Sequence, residues 1–333
     1  MKAGGSKIKD RIGRQPSDYQ LAATALLYYK DGLTQNEIAK RLGVSRATVI
    51  NHLRLARERG IVDIRINGSS FSTNKLSKDI KTRFGLEDVY IAPVLESGSA
   101  SEVNPEEGPI RQVARVAAMA LCEIISPDDV LGVAWGETIQ LLAEELPWLS
   151  KPGLRVLQMI GSMKSPLLVA AETCAINIAR RFGAECYTLH APAILSNSEL
   201  AGSLRAEPTI KNQLAQLDGM NKTLFSVGSL LPRTHLLQSG IASEKDLEWY
   251  KKNDAVGIIC GRFINRKGDH VRGFLDERMI GVTPRQLKTA QAGILVVSGE
   301  HKVEATLAAI RGGYTTHLVL DEHIGKALLK VSD

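Results

Sequence analysis

Thr34-Gln35-Asn36-Glu37-Ile38-Ala39-Lys40-Arg41-Leu42-Gly43-Val44-Ser45-Arg46-Ala47-Thr48-Val49-Ile50-Asn51-His52-Leu53 encodes two short helices around a tight turn. Thr34 can cap the first helix while Glu37, three residues on, reaches back to complete a capping box. Ile38 and Leu42 give that helix an apolar edge. Gly43 stands where a helix must end and the chain turn sharply, a position that favours a residue able to take positive φ. Ser45 caps the second helix, with Val44 and Val49 at the spacing of a hydrophobic staple. The stretch reads as a helix-turn-helix of the DNA-binding kind.

At 3.6 residues per turn the second helix points Val49, Leu53 and Ala56 one way and Ala47, Asn51, Arg54 and Glu58 the other, with Arg46 and Thr48 flanking its start. A helix in the major groove reads bases with its first turns, and Asn and Arg make bidentate contacts to adenine and guanine edges. Arg46, Ala47, Asn51 and Arg54 are the candidate base readers. Ser45, Thr48 and His52 are candidate backbone or flanking contacts. The alternative is a helical hairpin that only packs.

Charge separates the two. The chain has 333 residues and a formal charge of +6, yet residues 1–67 hold 13 Lys and Arg against 6 Asp and Glu, a net +7, and the rest holds 29 against 30. All the excess positive charge therefore lies with the helix pair, where it supplies the salt-sensitive phosphate attraction a DNA reader needs. A length of 333 residues suits a large domain plus a small one. Cys122, Cys174, Cys186 and Cys260 are widely spaced without a CxxC pair and read as buried free thiols in a reducing cytosol. The N-terminus is basic and polar, and no segment approaches the roughly 20 apolar residues of a membrane helix. The expected location is the cytoplasm, away from any membrane.

Residues 1–17 are too polar to order themselves and read as a flexible basic arm. From Asp18, the pattern Leu21, Ala25, Leu26, Tyr29 marks a helix packed across the pair and closed by Asp31-Gly32. The run Ile61-Val62-Asp63-Ile64-Arg65-Ile66 alternates like a half-buried strand, a wing completing a winged helix-turn-helix domain over residues 18–67. Residues 68–86 read as a linker and short helix. Over residues 87–333 strands and helices alternate. Strands are expected at Val89–Ala92, Val130–Ala134, Leu154–Ile160, Cys186–Leu189, Thr223–Val227, Ala255–Cys260, Ile294–Val297 and His317–Leu320. Continuous apolar strands separated by helices imply an α/β, Rossmann-like parallel sheet covered on both faces.

Ligands of such a sheet sit beyond the carboxyl ends of its strands. Those ends carry Trp135-Gly136-Glu137-Thr138, Gly161-Ser162, Gly228-Ser229, Gly261-Arg262 and Ser298-Gly299. Glycine lets backbone approach an anion, and the following helix aims its free N–H groups at it, so a phosphate or polyhydroxyl ligand is the natural guest. Turns of this class also use Gly and Ser for purely local reasons. Charged candidates nearby are Glu137, Arg262, Asp276, Arg278 and Lys302; Lys164 could line the site or face water. Lys302 begins a helix, where a lysine is unfavourable to the dipole unless it has an anionic partner. HExxH, GxSxG and GxxxxGK[ST] motifs are absent, and the seven histidines lack metal-ligand spacing. No cofactor or metal is expected. A sugar-phosphate isomerase using Glu137, Asp276 and Lys302 is the enzyme alternative.

The motifs GLTQNEIAKRLGVSRATV, GVAWGETI, AVGIICGRF and SGEHKVEATLAAIRGGYTTHLVLDE, in this order, resemble the SorC family of bacterial transcriptional regulators over about residues 18–330. The resemblance implies an effector domain similar to sugar-phosphate isomerases that binds a sugar, polyol or sugar phosphate and thereby alters binding to double-stranded operator DNA. It implies a homo-oligomer, dimer or tetramer, and no catalysis. Carried onto this chain, it makes Gly136, Glu137 and Thr138 one ligand loop and Gly161 and Ser162 a second. Arg262 and Asp276 would be polar contacts, and Lys302 an anchor for phosphate or hydroxyl.

Overall fold

The computed structural model describes residues 16–62, 64, 67–93, 108–163, 170–231, 235–238 and 240–331. Most of the basic arm, residues 96–107 of a polar stretch and Lys164 lie outside the described residues. The chain divides into two compact units, residues 1–65 and 66–333.

The small unit is built on α1 (Asp18–Ala25), α2 (Gln35–Leu42) and α3 (Arg46–Glu58). Thr34 caps α2 as its sequence demands: the Glu37 amide donates to Thr34 Oγ1 at 3.3 Å, and the Thr34 amide donates to Glu37 Oε2 at 2.8 Å. Gly43 closes α2 with φ 63°, and Ser45 caps α3 by accepting from the Thr48 amide at 3.0 Å. Leu21, Ala25, Ile38, Val49, Leu53 and Ala56 form the core, with Val44 packed against it. A π-helical turn, Leu26–Lys30, follows α1 and shifts the helical phase. Leu26 and Tyr29, expected inside, are therefore exposed, and Leu27 and Tyr28 pack on the core in their place. Leu42, expected on the inner edge of α2, is exposed too.

The stretch expected as a wing strand lies only partly among the described residues. Ile61 and Val62 lie in a bend, Ile64 is exposed, and residues 63, 65 and 66 lie outside the described residues. The backbone is used otherwise, because the amides of Ile61 and Val62 both donate to the Ala56 carbonyl, at 2.9 and 3.1 Å, and so satisfy the end of α3. Their side chains pack on the helical core. Ile61 and Val62 therefore act as a capping segment for α3.

In the large unit, the segment expected as a linker is packed structure. A 3-10 turn at Gly68–Ser72 lies so close to α5 (Gly108–Ile124) that a Cβ on Gly68 would meet the Ala120 amide at 2.8 Å. It is followed by α4 (Lys75–Phe84), which packs on the first strand and the last helix.

Seven strands form one parallel sheet: β1 (Asp88–Ala92), β2 (Val130–Val133), β3 (Arg155–Gln158), β4 (Glu185–Tyr187), β5 (Lys222–Phe225), β9 (Ala292–Val297) and β10 (His317–Asp321), in the order β1-β10-β9-β5-β2-β3-β4. Alternate strand residues serve opposite faces. Phe225, Leu295, Val297, Leu318 and Leu320 join one core cluster; Leu131, Val133, Leu224, Ile294, Val296 and Val319 join the other. Burial on both sides explains the near-continuous apolar strands. The covering helices include α6 (Glu137–Glu145), α7 (Ala171–Phe182), α14 (Val303–Arg311) and α15 (Glu322–Lys330); α8 to α13 span Ser198–Ala206, Pro208–Gln216, His235–Gln238, Glu244–Lys252, Phe274–Arg278 and Pro284–Thr289.

The expected strand Ala255–Cys260 belongs to a different layer. β6 (Val227–Gly228), β7 (Ala255–Ile259) and β8 (Arg262–Asn265) form a small antiparallel sheet. Between β7 and β8 the turn is Cys260-Gly261, with φ 48° and 77°. Positive φ at both central residues is the two-residue hairpin turn whose twist matches paired strands. Gly261-Arg262 is thus the start of a returning strand, not the mouth of a parallel one.

Candidate functional site

On α3 the expected inner face, Val49, Leu53 and Ala56, is buried, and Arg46, Ala47, Asn51 and Arg54 are exposed together. Arg54 is tied to its own helix: Nη2 donates to Asn51 Oδ1 at 2.8 Å and Nη1 to Glu58 Oε1 at 2.5 Å. Arg46 Nε donates to Gln35 Oε1 at 3.2 Å, which brings α2 to the same surface. Ser45 and Thr48 are each other's partners, their hydroxyls 2.8 Å apart, in addition to the cap. His52 turns out to be half-buried, with Nδ1 3.1 Å from the fully buried Thr24 hydroxyl of α1, and burial lowers its pKa. It ties α1 to α3 from beside the exposed face.

In the large unit three neighbouring strands, β9, β5 and β2, end around one cavity of about 670 Å³. The loop after β2 contributes Ala134 to Thr138, that after β5 Ser226 to Ser229, and that after β9 Ser298, Gly299, His301 and Lys302. Ile258, Cys260 and Gly261 of the hairpin, with Leu231 and Leu236, supply apolar wall. Cavity formation at these strand ends follows from the sheet order, since chains leave β2 and β9 towards opposite edges and open a crevice between them.

Three features give the cavity its chemistry. The first turn of α6 has no side-chain cap at Gly136, which leaves its leading N–H groups for a partner in the cavity. The Ser226 hydroxyl, which lines the cavity, is buried and has no hydrogen-bond partner among the described residues. Lys302 is partly buried at the start of α14, and among the described residues its ammonium makes neither an ion pair nor a hydrogen bond. Burial lowers its pKa, and the carboxylates of Glu137 and Asp321 act in the opposite direction. Asp321 itself fixes the wall: Oδ2 accepts from Ser298 Oγ at 3.1 Å and from the Gly299 amide at 3.2 Å, while Oδ1 caps α15 at the Ile324 amide, 2.9 Å away.

Of the candidates drawn from the sequence, Gly136, Glu137, Thr138 and Lys302 meet at this cavity. Gly161 and Ser162 do not. The Ser162 amide and carbonyl are used in backbone hydrogen bonds to Ala191 and Ala193, and a Cβ on Gly161 would strike the Ala191 carbonyl at 2.5 Å. Arg262 and Asp276 are also elsewhere, as a buried ion pair of 2.9 Å. Arg262 further donates to the Val282 carbonyl, and Asp276 accepts from His270 Nε2 at 2.7 Å and the Gly273 amide at 2.8 Å. Burial pushes the Asp276 carboxyl up, but His270, Gly273 and Arg262 outweigh it and hold the pKa at about 2. Such a saturated carboxylate is unsuited to general-base chemistry. Arg278 is engaged at the Leu195 carbonyl. Ser226, Cys260 and His301 line the cavity without having been singled out; extending the strand-end rule by the one residue after β5 finds Ser226. All four cysteines are free thiols, and burial lifts those of Cys174 and Cys260 to about 12.

A family model described as "Putative sugar-binding domain" matches residues 69–330, and one described as "HTH domain" matches residues 20–70. The uncharacterized transcriptional regulator YjhU of Escherichia coli K12 is 36% identical over 304 residues, covering 91% of this chain and 92% of the relative. The deoxyribonucleoside regulator of Bacillus subtilis is 28% identical over 307 residues, 92% of this chain and 95% of its own length. The crystal structure of the full-length sorbitol operon regulator SorC from Klebsiella pneumoniae superposes with a TM-score of 0.73 at 26% identity, over 95% of this chain and 100% of that one.

Proposed function

Because the chain belongs to the SorC family of bacterial transcriptional regulators, we propose that it controls a carbohydrate-use operon, reading operator DNA with α3 and taking a sugar, polyol or sugar phosphate into the cavity at β9, β5 and β2. It acts by binding and catalyses no reaction. The observation that carries the effector reading is Lys302, a partly desolvated ammonium with no hydrogen bond or ion pair among the described residues, in one cavity with the open N–H groups of α6. A desolvated cation and a helix N-terminus both favour an anionic or polyhydroxyl guest. The orphan Ser226 hydroxyl adds a site for a ligand hydroxyl. The names of the B. subtilis and K. pneumoniae relatives support a carbohydrate-bearing effector.

A DNA partner supports a cytoplasmic location; separately, among the described residues no helix is long and apolar enough to cross a membrane. Reading paired half-sites favours an even-numbered homo-oligomer. The effector shifts the DNA-binding equilibrium only to the extent that it prefers one arrangement of the heads.

A thermal-shift screen of the full-length chain against sugars, polyols and their phosphates tests this, since a ligand that binds only the native state raises the melting temperature. The expected result is a shift by one chemical class that Lys302→Ala abolishes while keeping operator binding. An undiminished shift in Lys302→Ala would remove Lys302 from the site, and sustained turnover of a phosphosugar, sensitive to Glu137 replacement, would establish an enzyme instead.

A further inference from the structure

One side chain on the DNA-facing surface of α3 is out of keeping with the rest. Ile50 is 46% exposed, although the apolar side of the helix is complete without it: Val49, Leu53 and Ala56 are buried at 0, 5 and 0%. Ile50 belongs to neither the core of the small unit nor the residues packed against it. Its same-face neighbours at i−3 and i+4 are Ala47 and Arg54, both exposed, and Asn51 follows on the next side of the helix, so Ile50 borders the candidate base-reading stripe.

The polar groups around it are already arranged. Arg54 is held between Asn51 and Glu58, and because Asn51 Oδ1 is occupied by that guanidinium, Asn51 presents its amide nitrogen as a donor. A donor beside an apolar surface matches one base edge of the major groove. Thymine offers the O4 acceptor and the C5-methyl group side by side, and the other bases have no methyl there. Ile is β-branched and stiff at χ1 in a helix, so presenting it to a methyl group costs little side-chain entropy. The surrounding Arg46, Arg54 and Arg57 supply the positive field that brings the helix to phosphate-lined DNA.

We propose that Ile50 is a specificity-determining residue that reads a thymine methyl group, with Asn51 donating to O4 of the same or the adjacent base, so that each half-site contains an obligatory thymine. The proposal rests on the reading of α3 as the recognition helix and adds the identity of a base.

The experiment begins with selection of binding sites from a randomised duplex library by the full-length chain. Each thymine of the selected site is then replaced singly by deoxyuridine, which removes the methyl group and nothing else, and affinity is followed by fluorescence anisotropy. Wild type should lose about three- to fivefold at one thymine per half-site, the order expected for one buried methyl group. Ile50→Ser should bind the thymine and deoxyuridine duplexes equally, while keeping the wild-type melting temperature and affinity for scrambled DNA. A selected site indifferent to every methyl, or equal sensitivity in Ile50→Ser, overturns the role of Ile50 and leaves α3 a DNA reader. Loss of scrambled-DNA binding in Ile50→Ser assigns Ile50 a structural role and also overturns it. Selection that enriches no sequence overturns both readings.

Discussion

Arg262 and Lys302 show at the residue scale how the same charge serves two ends. Both are cations near the ends of strands, and both looked like ligand contacts in the sequence. Arg262 has its partner inside the protein, with side-chain exposures of 7 and 8% for it and Asp276; Lys302 has none among the described residues. Which of two arginines or lysines finds an internal carboxylate depends on pairing across many residues, here 14 in sequence, and residue type carries no record of it. Removing one member of a buried pair leaves the other uncompensated, so Arg262→Leu should cost about 3 kcal/mol of stability, seen as a lowered melting temperature. Asp276 is depressed below its unfolded value, so its contribution is present in full above the ordinary aspartate range and is lost as pH falls towards about 2. The stability gap between wild type and Arg262→Leu should therefore narrow on acidification; a gap that widens would mean that the pair does not hold the carboxylate ionised.

Elements were legible where the backbone and the side chains tell one story. The capping box at Thr34, the turn at Gly43 and the cap at Ser45 form as the sequence indicates, because each is a local interaction within four residues. Gly43 at φ 63° gives a direct check: Gly43→Ala should destabilise the small unit by about 1–2 kcal/mol, lowering its melting temperature and weakening operator binding, and an unchanged melting temperature would mean that the turn relaxes. Strands of the parallel sheet were legible as continuous apolar runs. The hairpin was not, since β7 is as apolar as any of them and cysteine is an uncommon first residue for a turn with positive φ. The alternation that begins at Ile61 leaves another property unread. Ile61 and Val62 are partly buried against the helical core while their amides finish α3, and a side-chain pattern does not reveal where backbone hydrogen bonds go. Half of the cavity was legible from strand ends; His301 and Cys260 enter it through a helix start and a hairpin that strand-end reasoning does not reach.

For the whole molecule the segregation of charge decides the partner. A net +7 over residues 1–67 against −1 elsewhere concentrates the long-range attraction to DNA in the small unit. Affinity for DNA should fall linearly with the logarithm of salt concentration, and Arg54→Ala should reduce the slope by about 1, the effect of one lost phosphate contact. Titration of wild type and variant from low to high salt measures this, and parallel lines would show that Arg54 touches no phosphate. The large unit is organised differently, around a wall that is fixed before any guest arrives: Asp321 holds Ser298 and Gly299 with one oxygen and the start of α15 with the other. In kinetic terms, a loop already tied down has little ordering left to do on encounter, so carbohydrates of similar size should enter at similar rates. On the proposed effector role of this cavity, discrimination among them would reside in how long each one stays, and the duration of the regulatory signal would be set by departure, not by arrival.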